Sequence, residues 1–237
     1  MKNFTRKIST FSLVAITSFL SVSPALAANP DGLYLMVRVW MGSSPEISGW
    51  YFKNGRVSNR PLGNIANFDF NAAAKADPDK TGTYTISGKK MIFNWANGKK
   101  QEGDYEPGDH GGFFWDMGNF TPVQPFPAGT KLSGVFEGGA SAGYGSVSNA
   151  HTITFSPDGT YKMSSASSLK SDGRNGNQLY GGASGEESGT YSINGTTMTM
   201  TGGGKTRQVL TFPYDDGSKG PAPRRIMFDA IMMKHTK

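Results

Sequence analysis

The chain has 237 residues, enough for a real core and for one or two domains. Thirty-two glycines are about twice the usual share of ~7%, and charged residues make up only 18% against an ordinary ~25%, so neither a charged helical bundle nor a charge-driven disordered chain fits. The absence of cysteine excludes disulfides, thiolate metal sites, iron–sulfur clusters and a cysteine nucleophile.

Residues 1–27 form a unit of their own. Lys2, Arg6 and Lys7 make a positive start, residues 11–22 a short apolar stretch, and Ala25-Leu26-Ala27 a small-residue cleavage signal. That is the pattern of a secretory signal peptide. The apolar run is too short for the ~18–20 residues of a membrane span, and no later segment reaches that length. Cleavage near Ala27 predicts a periplasmic or secreted protein beginning at Ala28. Without the leader's three positive charges, 21 basic residues face 18 acidic ones, a net charge of about +3. The only tight basic pair is Arg224-Arg225, so no basic stripe follows a phosphate backbone and nucleic-acid binding is not expected.

Next along the chain comes a strand signal. In residues 33–41 (LYLMVRVWM), Leu33, Leu35, Val37 and Val39 fall on one face and Tyr34, Arg38 and Trp40 on the other. Lys53-Asn54-Gly55 marks a turn. Residues 71–76 (NAAAKA), with a cap at Asp69 and a stop at Pro78, are the one helical candidate. Residues 83–86 and 91–95 flank a hairpin turn over residues 87–90.

The chain then repeats itself. Residues 82–91 (GTYTISGKKM) match residues 189–198 (GTYSINGTTM) at six of ten positions. Upstream, residues 50–57 (WYFKNGRV) answer residues 153–161 (ITFSPDGTY). Downstream, residues 113–116 (FFWD) answer residues 226–229 (IMFD). Three motifs in one order indicate duplication. Between the copies, the prolines of residues 122–129 favour an extended linker. The expected organisation is a signal peptide (1–27), a first β unit (28–121), a Pro-rich linker (122–129) and a second β unit (130–237). In the second unit, Ser156-Pro157-Asp158-Gly159 and Asn194-Gly195 are turn signals. Residues 138–149 and 164–188, rich in Gly and Ser, read as long flexible loops or irregular strand extensions.

The fold class is therefore all-β: two tandem antiparallel barrels or half-barrels related by an internal repeat, or one larger barrel closed from both copies. The order of a Gly-x-aromatic start, a Phe-x-x-(Asp/Asn)-Gly turn, the Gly-Thr-Tyr-x-Ile-x-Gly hairpin and a closing strand resembles the lipocalin-like repeats of exported, largely uncharacterised bacterial proteins. The turn at Trp95-Ala96-Asn97-Gly98 is similar to one that follows that hairpin. The resemblance implies a frame that binds and transfers no catalytic residue.

Motifs of chemistry are few. Gly139-Ala140-Ser141-Ala142-Gly143 has the form of a nucleophile elbow, with Asp158 or Asp215 and His235 in suitable order, so a serine hydrolase or esterase using Ser141 is the alternative function. Its surroundings are a Gly/Ser tract followed by a strand signal, whereas the elbow needs a strand-to-helix turn. Gly204-Lys205-Thr206 ends like a phosphate loop, but Thr199 stands where the first glycine belongs, and the expectation is a loose hairpin turn. His110, His151 and His235 are far apart in the chain, and the acidic loop of Asp104, Glu106 and Asp109 lacks a calcium pattern. Glu186-Glu187 and Asp215-Asp216 are adjacent pairs, whose side chains on a strand point apart. No metal and no cofactor are implied. All four tryptophans (Trp40, Trp50, Trp95, Trp115) lie in the first unit. The sequence therefore predicts an exported, non-enzymatic envelope protein that binds a small apolar or glycan ligand, or a partner protein. Tyr34, Arg38, Trp40 and Trp50 are its candidate ligand-binding residues. A purely structural role, with the two faces of the first strand meeting two layers of core, is the competing account.

Overall fold

The computed structural model describes residues 29–41, 43–142, 147–172, 178–214 and 223–236. The expected leader with its cleavage point, and Asp215-Asp216, lie outside them. Two closed eight-stranded antiparallel barrels stand in tandem, each an up-and-down meander. The first is built from β1 (Gly32–Arg38), β2 (Glu46–Lys53), β3 (Arg56–Asn59), β4 (Thr81–Ser87), β5 (Lys90–Trp95), β6 (Lys100–Pro107), β7 (Phe113–Trp115) and β8 (Gly118–Val123). The second comprises β9 (Gly134–Ala142), β10 (Val147–Phe155), β11 (Thr160–Asp172), β12 (Gln178–Asn194), β13 (Thr197–Gly202), β14 (Lys205–Pro213), β15 (Arg225–Phe228) and β16 (Ile231–His235). β1 pairs with β8, and β9 with β16, to close them. Two barrels form, not one. Among the described residues no helix is long and apolar enough to cross a membrane.

The local signals account for most connections. Asn54 and Gly55, both at positive φ, turn β2 into β3. The helix α1 (Phe70–Ala76) starts on the Asp69 side chain, which accepts from the amides of Asn71 and Ala72. The hairpin expected around Asn194-Gly195 forms one residue later: Asn194 pairs with Thr197, and the turn is Gly195-Thr196. Gly88-Lys89 turns the first copy at the matching place. Thr196 is buried and donates to the carbonyls of Pro61 and Gly63 in the first barrel. Residues 203–204, both at positive φ, make a tight two-residue hairpin where the phosphate-loop resemblance ended.

The repeat corresponds to equivalent places in the two barrels. Gly82 and Gly189 lie on the fourth strand of each. Tyr84 donates to the carbonyl of Pro30 at 2.7 Å, tying down the chain as it enters β1. Tyr191 does the same before β9: it accepts from the amide of Leu132 at 2.7 Å and donates to its carbonyl at 2.9 Å. Burial pushes both phenols up, Tyr84 to about 12. Tyr191→Phe leaves a buried amide and carbonyl unpaired and is expected to lower stability by about 1–3 kcal/mol in urea denaturation; an unchanged midpoint would show the tether to be unimportant.

Two features of the second unit differ from expectation. Where they are described, the Gly/Ser tracts are regular strands, so the strand-extension reading holds there and the flexible-loop reading does not. β11 and β12 pair in unbroken register as far as Asp172 with Gln178, and β9 and β10 as far as Ala142 with Val147. Backbone pairing needs no bulky side chain, so a tract too small to fill a core still extends the sheet beyond the barrel. The Pro-rich linker is docked as well. Val123 still belongs to β8, and Phe126 is buried in the second barrel's core, with its amide donating to Gly195.

The first barrel's interior is filled. Tyr34, Met36, Trp50, Phe52, Phe93, Phe113, Trp115 and Phe120 form its core. The other face of β1 is buried too, since Leu33 and Leu35 join Tyr51, Phe70, Leu210, Phe212 and Met227 in a cluster between the barrels. This is why β1 is apolar on both sides.

Candidate functional site

The four residues singled out from sequence part company. Tyr34 and Trp50 are interior core. Tyr34 meets Phe52 and Phe113 edge-on at 5.4 and 5.2 Å, and desolvation raises its phenol above the usual range. Trp50 packs against Phe93, Trp115 and Phe120, and its indole N–H donates to Ser48 at 2.8 Å. Arg38 and Trp40 stay together at the end of β1. Arg38 is 8% exposed and Trp40 44%. The Arg38 guanidinium lies 5.6 Å from the Trp115 ring and 5.8 Å from that of Trp40. Nη1 donates to Glu46 at 3.3 Å. Nη2 is 3.5 Å from the Asp116 carboxylate but, like Nε, makes no hydrogen bond.

Asp116 leads to residues that the sequence did not single out. Asp116 and Met117 form the two-residue turn from β7 to β8, both at positive φ (46° and 63°). That conformation favours glycine or asparagine, and a methionine in it costs on the order of 1–2 kcal/mol. Strain of this kind tends to be kept at sites of function. The turn places Met117, 65% exposed, beside Phe114, 49% exposed. Both line a groove of about 640 Å³ on the barrel wall, together with Lys89, Tyr105, Glu106 and Asp116. Alternation along residues 113–115 was the available signal: if Phe113 and Trp115 face inward, Phe114 faces out. The matching turn of the second barrel uses its aspartate differently, for Asp229 binds Arg60 of the first barrel at 3.0 Å.

The groove is lined by both apolar side chains (Ile86, Phe114, Met117) and charged ones (Lys89, Asp104, Glu106, Asp116). Asp104 is held by Lys90 at 2.6 Å, and that contact keeps its carboxyl below the usual range. Among the described residues no three histidine or carboxylate side chains gather to hold a metal. The backbone at Ser141 is extended and paired with Ser148, not set on a strand-to-helix turn; its side chain lies outside those described. Asp158 caps its own turn by accepting from the Thr160 amide and hydroxyl, and His235 packs against Phe136 at 4.9 Å. No known protein family, no curated protein and no solved structure matches the chain.

Proposed function

We propose that this is an exported, non-enzymatic envelope protein that binds a small ligand with an apolar face, of apolar or glycan class, at the Trp40 end and outer groove of the first barrel. One observation carries the reading. Among the described residues, the exposed large hydrophobics are Val39, Trp40, Met41, Phe114 and Met117, and all follow β1 or belong to β7 and its turn, with only β8 between. Exposed apolar side chains concentrated in one place mark a binding surface. The interior is packed with aromatic rings, so a ligand has the outer surface to occupy and not a lumen. A sugar ring would lay its apolar face on Trp40 or Met117 and direct hydroxyls to Glu106 and Asp116. The leader supports export, and intact mass of the exported protein should lack residues 1–27.

The test is a fluorescence titration with cellotetraose, chitotetraose and N-phenyl-1-naphthylamine. At least one probe is expected to bind, with affinity falling about tenfold or more in Trp40→Ala and in Met117→Glu, in line with the ~1–3 kcal/mol that one aromatic or apolar contact contributes. If no probe binds, or if both variants bind as the wild type does, the reading fails.

A further inference from the structure

The mouth of the second barrel carries a different chemistry. Five successive strands, β10 to β14, each turn one side chain inward at this level: His151, Met163, Glu187, Met200 and Arg207. The register sets them side by side. Met163 pairs with Glu187, Met200 with Arg207, and Ile153 with Met163, which makes His151 the diagonal neighbour of Met163. Three electron-pair donors converge on one atom. Arg207 Nη2 lies 3.4 Å from Glu187 Oε2, 3.5 Å from Met163 Sδ and 3.9 Å from Met200 Sδ. The other oxygen of Glu187 accepts from the Tyr161 hydroxyl, which fixes the carboxylate's direction. His151 Nδ1 is buried without a hydrogen-bond partner.

We propose that this ring is a site for a soft monovalent metal ion, Cu(I), bound by the thioethers of Met163 and Met200 with Glu187 and His151 completing the set. Arg207 Nη2 is a positive group at the point where two sulfurs and a carboxylate oxygen meet, so it stands in for the cation. The Arg207 side chain is 41% exposed and swings into solvent as the metal enters, which keeps the site's charge balanced. Methionine side chains are flexible enough to close the remaining distance. Donor chemistry selects the metal: thioether and imidazole suit Cu(I), calcium and magnesium need a shell of oxygens, and structural zinc sites use thiolate in place of thioether.

The experiment is an anaerobic Cu(I) titration of the full chain in competition with bathocuproine disulfonate. One Cu(I) per chain is expected, with a sulfur shell in X-ray absorption. The double variant Met163→Leu/Met200→Leu conserves volume and should retain the circular dichroism and melting temperature of the parent, yet lose at least a hundredfold in affinity. Arg207→Gln removes the competing cation and should tighten binding about tenfold. The proposal is overturned if the chelator strips all copper from the wild type, if the double leucine variant binds as tightly as the parent, or if Arg207→Gln weakens binding.

Discussion

Gly189→Ala is expected to lower the unfolding free energy by about 3 kcal/mol or more, and Gly82→Ala by a similar amount. Neither glycine has a positive φ, so the demand is for room and not for backbone freedom. A Cβ at Gly189 would collide with the carbonyl of Thr201 and come within 2.9 Å of Gly202 Cα. One at Gly82 would collide with the carbonyl of Asn94 and come within 2.9 Å of Trp95 Cα. All of these are backbone atoms of the neighbouring strand, so they cannot swing aside as a side chain would. Relief requires parting β12 from β13, or β4 from β5, within the continuous barrel wall. Gly181→Ala is the control, since nothing lies within 4 Å of its added carbon, and it should stay within about 0.5 kcal/mol of the parent. Urea denaturation of the three variants decides the matter. A Gly189→Ala protein as stable as Gly181→Ala would remove close strand approach as the reason for the repeated glycine.

Phe212→Ala should cost about 3–5 kcal/mol and separate the unfolding of the two barrels. Phe212 is fully buried between them, with Leu210 and Met227 from the second barrel and Leu33, Leu35 and Tyr51 from the first. The approach is close at Gly49, where a Cβ would meet Leu210 and Phe212 at 2.7 Å each. Polar contacts at the margin, Arg60 to Asp229 and the Gly63 amide to Thr197, fix the register of the docking. The wild type should therefore melt in one calorimetric transition, and Phe212→Ala in two. A single, unshifted transition in the variant would mean that the apolar cluster does not couple the barrels.

Several particulars show what could be read in advance. The turn at Asn54-Gly55, a hairpin turn at Gly204-Lys205-Thr206 (found one residue earlier, at 203–204), the cap at Asp69 and the duplication at residues 82–91 and 189–198 all depend on residues near one another in the chain. At the candidate site, legibility stopped at Arg38 and Trp40. Asp116, which faces Arg38, and the exposed Phe114 and Met117 on either side of it are more than seventy residues away, and no local pattern connects β1 with β7. The tyrosine tethers show the same limit. Tyr84 is visibly the counterpart of Tyr191, but its bond to Pro30 spans 54 residues.

From sequence alone, then, came the all-β class, the two-copy organisation and most of the turns, because alternation and turn chemistry are set by backbone geometry within a few residues. Tertiary structure decided which apolar face serves which core. β1 is apolar on both sides, and only the second barrel's position explains why Leu33 and Leu35 leave the interior to Tyr34 and Met36. It also decided that the Gly/Ser tracts pair as strands, that Phe126 anchors the linker, and that His151, Met163, Glu187, Met200 and Arg207 stand in one ring. Closing a barrel brings strands distant in sequence to the same level, and that level follows from shear and register across the whole sheet.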